Sequence, residues 1–154
     1  MPKKATTTDA ELILKIYDLR REPEMRKARN WWGNEFWPQS ADDLIRIAMT
    51  FPSQENTWLR QVAGYWDMVA SLVVHGALSE ELFLEPGNSG ELFFIFAKIQ
   101  PYVKEFREKM QSPEAFINIE RVVMKSEQTR ERLSRLQERL AAFQRRRSEV
   151  AKAS

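Results

Sequence analysis

Apolar side chains recur at every third or fourth position along most of this sequence, the spacing that places them on one face of an α-helix. The clearest case is a predicted helix that begins at Pro52 and Ser53 and ends at His75, where Gly76 follows as a terminator. Two neighbouring apolar stripes indicate a central helix with partners on several sides. They are Trp58, Val62, Tyr65, Val69 and Leu72 in one stripe, and Leu59, Trp66, Ala70 and Val73 in the other.

Capping residues and helix breakers divide the remaining chain, so that we expect six or seven helices in an all-α protein. Thr8, with an acid three residues later, forms a capping-box pattern that predicts the start of the first helix. Gly33 predicts the end of the second helix. The segment Glu85–Gly90 predicts a connecting loop, and a helix over Glu91–Met110 should follow with a kink at Pro101.

These signals divide the chain into three segments. Residues 1–8 are expected to form a disordered N-terminal tail, and residues 9–112 a compact body of about five or six helices. Residues 113–154 are expected to form one long C-terminal helix that frays at its end. Ser112 and Pro113 are typical of a helix start, because serine caps the first turn and proline fits its first position.

The C-terminal helix carries the surfaces of greatest functional interest. Its apolar residues follow one heptad seam, which is coiled-coil-like between Leu133 and Phe143. The candidate interaction residues on this seam are Leu133, Leu136, Leu140, Phe143 and Val150. The candidate basic patch of the same helix consists of Arg135, Arg139, Arg145, Arg146 and Arg147.

Three interpretations of this helix remain open at this point. Its seam packs against a second subunit, giving a homodimer, or against an unknown protein partner. Alternatively, its arginines bind nucleic-acid phosphates, which is less favoured because acids are interspersed and no stacking aromatic residues accompany them. In the third interpretation the seam folds onto its own domain. We expect a non-catalytic interaction or scaffolding module that self-associates, with nucleic-acid association as the alternative.

Charge is distributed unevenly along the 154 residues. Residues 1–30 contain eight Lys or Arg and five Asp or Glu, whereas residues 31–125 contain eight and thirteen. Residues 126–154 contain eight and four. The body is therefore acidic, which argues against a broad cationic face on it.

The sequence also narrows the cellular setting. Cysteine is absent, which excludes disulfides, thiolate catalysis and cysteine-ligated metals and fits a cytoplasmic protein. The longest apolar run, Leu92–Ala97, is far shorter than the ~20 residues that cross a bilayer. We therefore expect a soluble protein without a membrane span.

Few residues are candidates for catalysis or for ligand binding. Trp31, Trp32 and Trp37 are suited to bind a ligand or a partner, but they equally suit the lid of a helical core, which we favour because no convergent polar groups accompany them. Asp67 is the one acid within the central helix and a candidate general acid or base, yet no second catalytic group lies near it in sequence. The only histidine, His75, suits a helix C-terminus better than a metal site. We expect no catalytic residues, no metal and no cofactor.

Three stretches resemble a known family. They are Trp58-Leu59 with Tyr65-Trp66-Asp67, the helix end Val73–Leu78, and the run Ile99–Arg107, which contains Pro-Tyr-Val. Together they resemble a family of small helical bacterial proteins, the domain of unknown function number 4760, over about residues 58–124. The resemblance implies an all-α fold. It implies no activity and no site residues, because the family has none assigned.

Overall fold

The computed structural model describes residues 3–154, in which helices are joined by turns and no strand forms. The all-α prediction is confirmed, as is a compact helical body with a long C-terminal helix. The helices are α1 (Thr7–Leu19), α2 (Pro23–Asn34), α3 (Ala41–Met49), α4 (Gln54–Val74), α5 (Glu80–Phe83), α6 (Pro86–Ile99), α7 (Val103–Met110), α8 (Ile117–Val123) and α9 (Glu127–Ala153), with a 3₁₀ turn at Gln100–Tyr102 between α6 and α7.

Helix α4 lies at the centre of the fold, as its two apolar stripes predict. It packs most extensively against α8 and α2 and also contacts α3 and α5. Trp66, near its middle, is completely buried and meets the edge of Tyr65 and the ring of Phe83. Burial of such a side chain stabilises the fold by about 1.5–3 kcal/mol. Helix α6 is the second core helix, with Leu92, Phe93, Ile95, Phe96 and Ile99 all fully buried.

The first helix begins earlier than its sequence signal predicts. Thr6, not Thr8, is the N-cap of α1: its side chain accepts from the backbone N–H of Asp9, and Asp9 accepts from the backbone N–H of Thr6. Asp9 also accepts from the backbone N–H of Ser79, which ties α1 to the start of α5. The predicted disordered tail at 1–8 therefore differs from the structure at Thr7 and Thr8, while residues 1–2 lie outside the described residues.

Three helix boundaries that the sequence predicts differ in the structure. Gly33 lies inside α2, which continues to Asn34, so glycine does not end this helix. Most of the predicted loop Glu85–Gly90 is the first turn of α6, because Pro86 fits the first helical position. Pro101 lies in the 3₁₀ turn that separates α6 from α7, so that two helices replace the one predicted kinked helix.

The C-terminal segment is not the single helix predicted for 113–154. A turn follows Pro113, and α8 starts only at Ile117. The reason lies in α4, where the Asp67 carboxylate accepts from the backbone N–H groups of Asn118 at 2.9 Å and Ile119 at 3.1 Å. These are free donors of the first turn of α8, so the carboxylate sets where that helix begins.

A second start signal separates α8 from α9. The Ser126 side chain accepts from the backbone N–H of Thr129, and the Thr129 hydroxyl accepts from that of Ser126. This reciprocal cap begins α9 as a new helix at Glu127. Among residues 3–154, none of the helices combines the length and the apolar content needed to span a membrane.

Candidate functional site

The predicted interaction seam of α9 packs on the protein's own body. Leu133 is buried, with 4% of its surface exposed, and Leu136 and Leu140 are partly buried against the same core. The surface that receives them belongs mainly to α6 and α8. Leu133 is thus covered by the chain's own body, and Leu136 and Leu140 are covered in part, while self-association through this seam stays a prediction.

Two polar side chains, Arg132 and Gln137, reinforce the packing of α9. The Arg132 guanidinium lies 3.9 Å from the centre of the Phe93 ring and donates to the carbonyl oxygen of Leu84 at 3.0 Å and to the Ser89 hydroxyl at 2.9 Å. One helical turn further on, Gln137 donates to the carbonyl oxygen of Ala97 at 3.3 Å. The first half of α9 is therefore an integral part of the body.

The second half of the seam remains accessible. Phe143 is 51% exposed and Val150 is 70% exposed. The Phe143 ring lies 6.0 Å from that of Trp37, in the connection between α2 and α3. The outer end of α9 thus meets the aromatic cluster whose role the sequence left open.

A groove runs between α9 and this connection, and we call it the Trp37 groove. Its first cavity has a volume of about 320 Å³ and opens between the α2–α3 connection, the 3₁₀ turn and α9. Its second cavity, of about 520 Å³, lies beyond Trp37 along α9. Trp37 and Gln144 line both cavities, so the two lie next to each other along α9. The other polar or aromatic residues of the groove are Gln39, Lys98, Gln100, Tyr102 and Gln137 in the first cavity and Asn34, Glu35, Arg147 and Ser148 in the second.

Lys98 holds the aromatic floor of the groove in place. It extends from α6, is 7% exposed and donates to the carbonyl oxygens of Trp32 and, at 2.7 Å, Phe36. Its Nζ also lies 3.6 Å from the centre of the Trp37 ring. Burial, with a smaller contribution from the nearby positive charge of Arg147, lowers the pKa of Lys98 to about 7.

Amide side chains supply the polar edge of the groove. The Gln137 amide donates to Gln100 Oε1 at 3.0 Å, and the Gln39 amide donates to the carbonyl oxygen of Trp37 at 3.2 Å. Gln144 makes no hydrogen bond within the described residues, so its amide is free to donate and to accept. Beside the charged Lys98, Glu35 and Arg147, the groove therefore combines a fixed aromatic ring with uncharged amide donors and acceptors.

The remaining sequence candidates have structural positions. Trp31 and Trp32 are 3% and 1% exposed and belong to the core, unlike the half-buried Trp37. Asp67 also accepts from the Asn118 side chain at 3.0 Å, so both of its oxygens serve the start of α8. His75 is exposed at the end of α4. Within residues 3–154, no group of three acidic or histidine side chains is placed to hold a metal ion.

The predicted basic patch lies on the exposed part of α9. Arg135, Arg139, Arg145, Arg146 and Arg147 are all exposed, and none forms an ion pair within the described residues. Arg135, Arg139 and Arg146 share one side of the helix, since they are four and eleven residues apart. Arg147 instead turns to the Trp37 groove and donates to the carbonyl oxygen of Asn34 at 3.4 Å.

Lys98 is the main site residue that the sequence reasoning does not identify. Its signal is a single charge in the otherwise apolar run Leu92–Ile99. A lysine enclosed by core residues needs hydrogen-bond acceptors, because an unpaired buried charge is strongly unfavourable. The run predicts that such acceptors exist, but only the folded chain shows that they are carbonyl groups at the end of α2.

Comparison with known proteins gives one match. The sequence model of a protein family, described as "Domain of unknown function (DUF4760)", matches residues 5–126. The match ends at the N-cap of α9, so that the helical body lies within it and α9 lies outside. No curated protein and no solved structure matches this chain.

Proposed function

This chain belongs to the DUF4760 family, and we propose that it is a non-catalytic binding module that holds an extended segment of a protein partner in the Trp37 groove. The observation that carries the proposal is the position of Trp37. Trp37 borders two adjacent cavities, and its ring contacts the buried Lys98 ammonium group. A partly exposed tryptophan that is held in place by its neighbours is typical of residues that contribute most to binding a partner.

The shape of the groove favours an extended chain over a compact ligand. Both cavities open to solvent and follow the direction of α9. Small-molecule sites enclose most of the ligand surface, whereas peptide grooves leave one side open. An extended chain would find apolar contacts in the Trp37 groove, on the side chains of Trp37, Pro101 and Tyr102.

The polar groups of the groove suit a peptide backbone. Gln39, Gln100, Gln137 and Gln144 are neutral side chains that donate and accept, as the peptide group itself does. Grooves lined by aromatic rings with such amides bind proline-rich and other extended segments, in which backbone groups remain unpaired. A segment of this kind would lie along α9 with an apolar residue against Trp37.

Self-association through the C-terminal helix is not part of this proposal. Leu133, Leu136 and Leu140 pack on the chain's own core. Phe143 and Val150 are the two residues of the predicted seam that remain accessible. Phe143 also borders Trp37, so we assign it to the rim of the groove.

The experiment is a selection of binding peptides from a random library, followed by measurement of Kd by fluorescence anisotropy. Trp37→Ala and Gln144→Ala should weaken the selected peptides by about tenfold or more, which is typical of central interface residues. Gln128→Ala is the matched control, because Gln128 is an exposed glutamine on α9 outside the groove. Peptides that bind Trp37→Ala and Gln144→Ala as tightly as the unchanged protein would refute the proposal.

The exposed arginines of α9 support a second candidate, the binding of nucleic-acid phosphates. Arg135, Arg139 and Arg146 lie on one side of the helix and have no acidic partner within the described residues. Such contacts predict affinity that falls steeply with salt. Replacing all three by Gln should abolish retention on heparin at low salt, and a protein that is not retained at all excludes this candidate.

A further inference from the structure

Arg20 is a buried cation without a partner. It follows α1 directly and is 9% exposed. Its guanidinium carbon lies 5.3 Å from the centre of the Tyr17 ring and 5.2 Å from that of the Trp66 ring. Its Nε is fully enclosed and has no acceptor, and the guanidinium forms no hydrogen bond or ion pair within the described residues. This combination is unusual, because buried arginines are nearly always paired.

Glu91, an acid that shares Trp66 with Arg20 as a neighbour, is already engaged. Glu91 accepts from Arg29 Nε at 3.0 and 2.7 Å and pairs with a terminal nitrogen of Arg29 at 2.7 Å. Glu91 also accepts from the Trp66 indole N–H at 3.0 Å. Arg29 extends in turn to the backbone carbonyl of Arg20, at 3.4 Å. Glu91 is thus paired with Arg29, and the Arg20 guanidinium has no ion-pair partner within the described residues.

The surroundings stabilise this charge only in part. The two aromatic faces attract a cation, and so does the C-terminal end of α1. Neither of them accepts hydrogen bonds from the guanidinium edge. Polar groups left unsatisfied in this way point to a ligand that supplies the acceptor.

We propose that Arg20 anchors an anion site that binds the carboxylate of a small aromatic or apolar acid. The two terminal nitrogens of Arg20 are the part of the guanidinium that is not enclosed, and a planar carboxylate fits them end-on with two parallel hydrogen bonds. The ligand body would lie against the exposed apolar residues of α1 beside Arg20. Tyr17 is 56% exposed and Leu14, one turn earlier, is 68% exposed.

A phosphate group fits this site less well. A phosphate dianion requires more than one free cation in a partly desolvated site. Arg29 is neutralised by Glu91, so Arg20 supplies a single positive charge. The site therefore matches the single negative charge and the planar shape of a carboxylate. It is separate from the Trp37 groove, and none of its residues lines that groove.

The experiment is a titration of the ¹⁵N-labelled full chain with sodium benzoate at constant ionic strength, followed by NMR. The indole N–H of Trp66 is the reporter, because it lies between Arg20 and Glu91. We expect a saturable shift of this signal that Arg20→Met weakens at least tenfold. Arg21→Met is the matched control, since Arg21 is exposed and next to Arg20 in sequence, and it should bind as the unchanged protein does.

Further measurements decide the outcome. Acetate should bind more weakly than benzoate, and inorganic phosphate should give no saturable shift. Phosphate binding as tight as that of benzoate would overturn the carboxylate assignment, and an equal benzoate shift in Arg20→Met would overturn the site.

Arg20→Lys is a second variant, which tests the proposal if Arg20→Met does not fold. It keeps the charge but lacks the planar guanidinium, so it should also bind benzoate at least tenfold more weakly. No benzoate binding, together with a lower melting temperature of Arg20→Met in chloride, would assign Arg20 to stacking alone.

Discussion

The ammonium group of Lys98 lies 3.6 Å from the centre of the Trp37 ring, on the side that faces the core. The same group donates to the carbonyl oxygens of Trp32 and Phe36, at and just beyond the C-terminal end of α2. A cation is favoured at this end of a helix. One buried lysine of α6 therefore joins the core to the ring that forms the floor of the Trp37 groove.

The first prediction concerns the role of Lys98 in stability. Lys98→Met keeps the length of the side chain but leaves the Phe36 carbonyl, which is buried, without its donor. An unsatisfied buried polar group costs about 1–3 kcal/mol, so the free energy of unfolding in urea should fall by that amount near pH 10, where the lowered pKa of Lys98 no longer costs stability. Lys104→Met is the control, because Lys104 is an exposed residue of α7, and it should change the free energy of unfolding by less than about 0.5 kcal/mol. Equal stability of the two variants would show that the carbonyl groups find other donors.

The second prediction is a pH dependence that comes from the same residue. Burial lowers the pKa of Lys98 from its ordinary value of 10.5 to about 7. Between these values the unfolded chain binds a proton that the folded chain lacks, so stability should rise with pH from 7 upward. Burial raises the pKa of Tyr65 to about 12, and stability is lost again above about pH 10 as the unfolded tyrosine ionises.

Urea unfolding at pH 7 and pH 9 measures this effect. The free energy of unfolding of the unchanged protein should increase over the interval. That of Lys98→Met should change much less, because the variant lacks the titrating group. Parallel changes in both proteins would mean that Lys98 stays protonated through the interval and that its carbonyl partners outweigh its burial.

The third prediction concerns the helix start at Asp67. Asp67→Ala removes three hydrogen bonds to Asn118 and Ile119 and leaves the first turn of α8 without a cap. Loss of an N-terminal cap costs about 0.5–2 kcal/mol, and the free energy of unfolding should fall accordingly. Asp42→Ala is the control, because Asp42 is an exposed acid whose pairing with Lys109 is at the surface. A loss for Asp42→Ala as large as that for Asp67→Ala would contradict the capping role.

How far the sequence predicts the fold depends on how local each signal is. Helix α4 follows from its own apolar period and from Gly76, which adopts the left-handed conformation with φ 73°. The start of α8 does not follow from its own residues, because its capping acid, Asp67, lies in another helix. Sequence alone places Asp67 among candidate acids and cannot show which backbone groups it meets.

The candidate site shows the same limit. The apolar pattern of a seam with Leu133 and Leu136 is the same whether the seam packs on a second subunit or on the chain's own α6. Burial requires only that the facing surface is apolar. Trp37 and Trp32 are equally apolar in sequence, yet one lines a groove and the other is 1% exposed. The groove itself joins residues far apart in the chain, so no local pattern encodes it.

The last prediction tests whether α9 is docked on the body. Leu133→Ala removes a side chain that is 4% exposed and should lower the free energy of unfolding by about 2–5 kcal/mol, as large-to-small changes in a core do. Val150→Ala, on the 70% exposed end of the same helix, should change it by less than about 0.5 kcal/mol. Both values should be independent of protein concentration, because the packing lies within one chain. If the seam joined two subunits instead, unfolding of the unchanged protein would shift with concentration and Leu133→Ala would remove that shift.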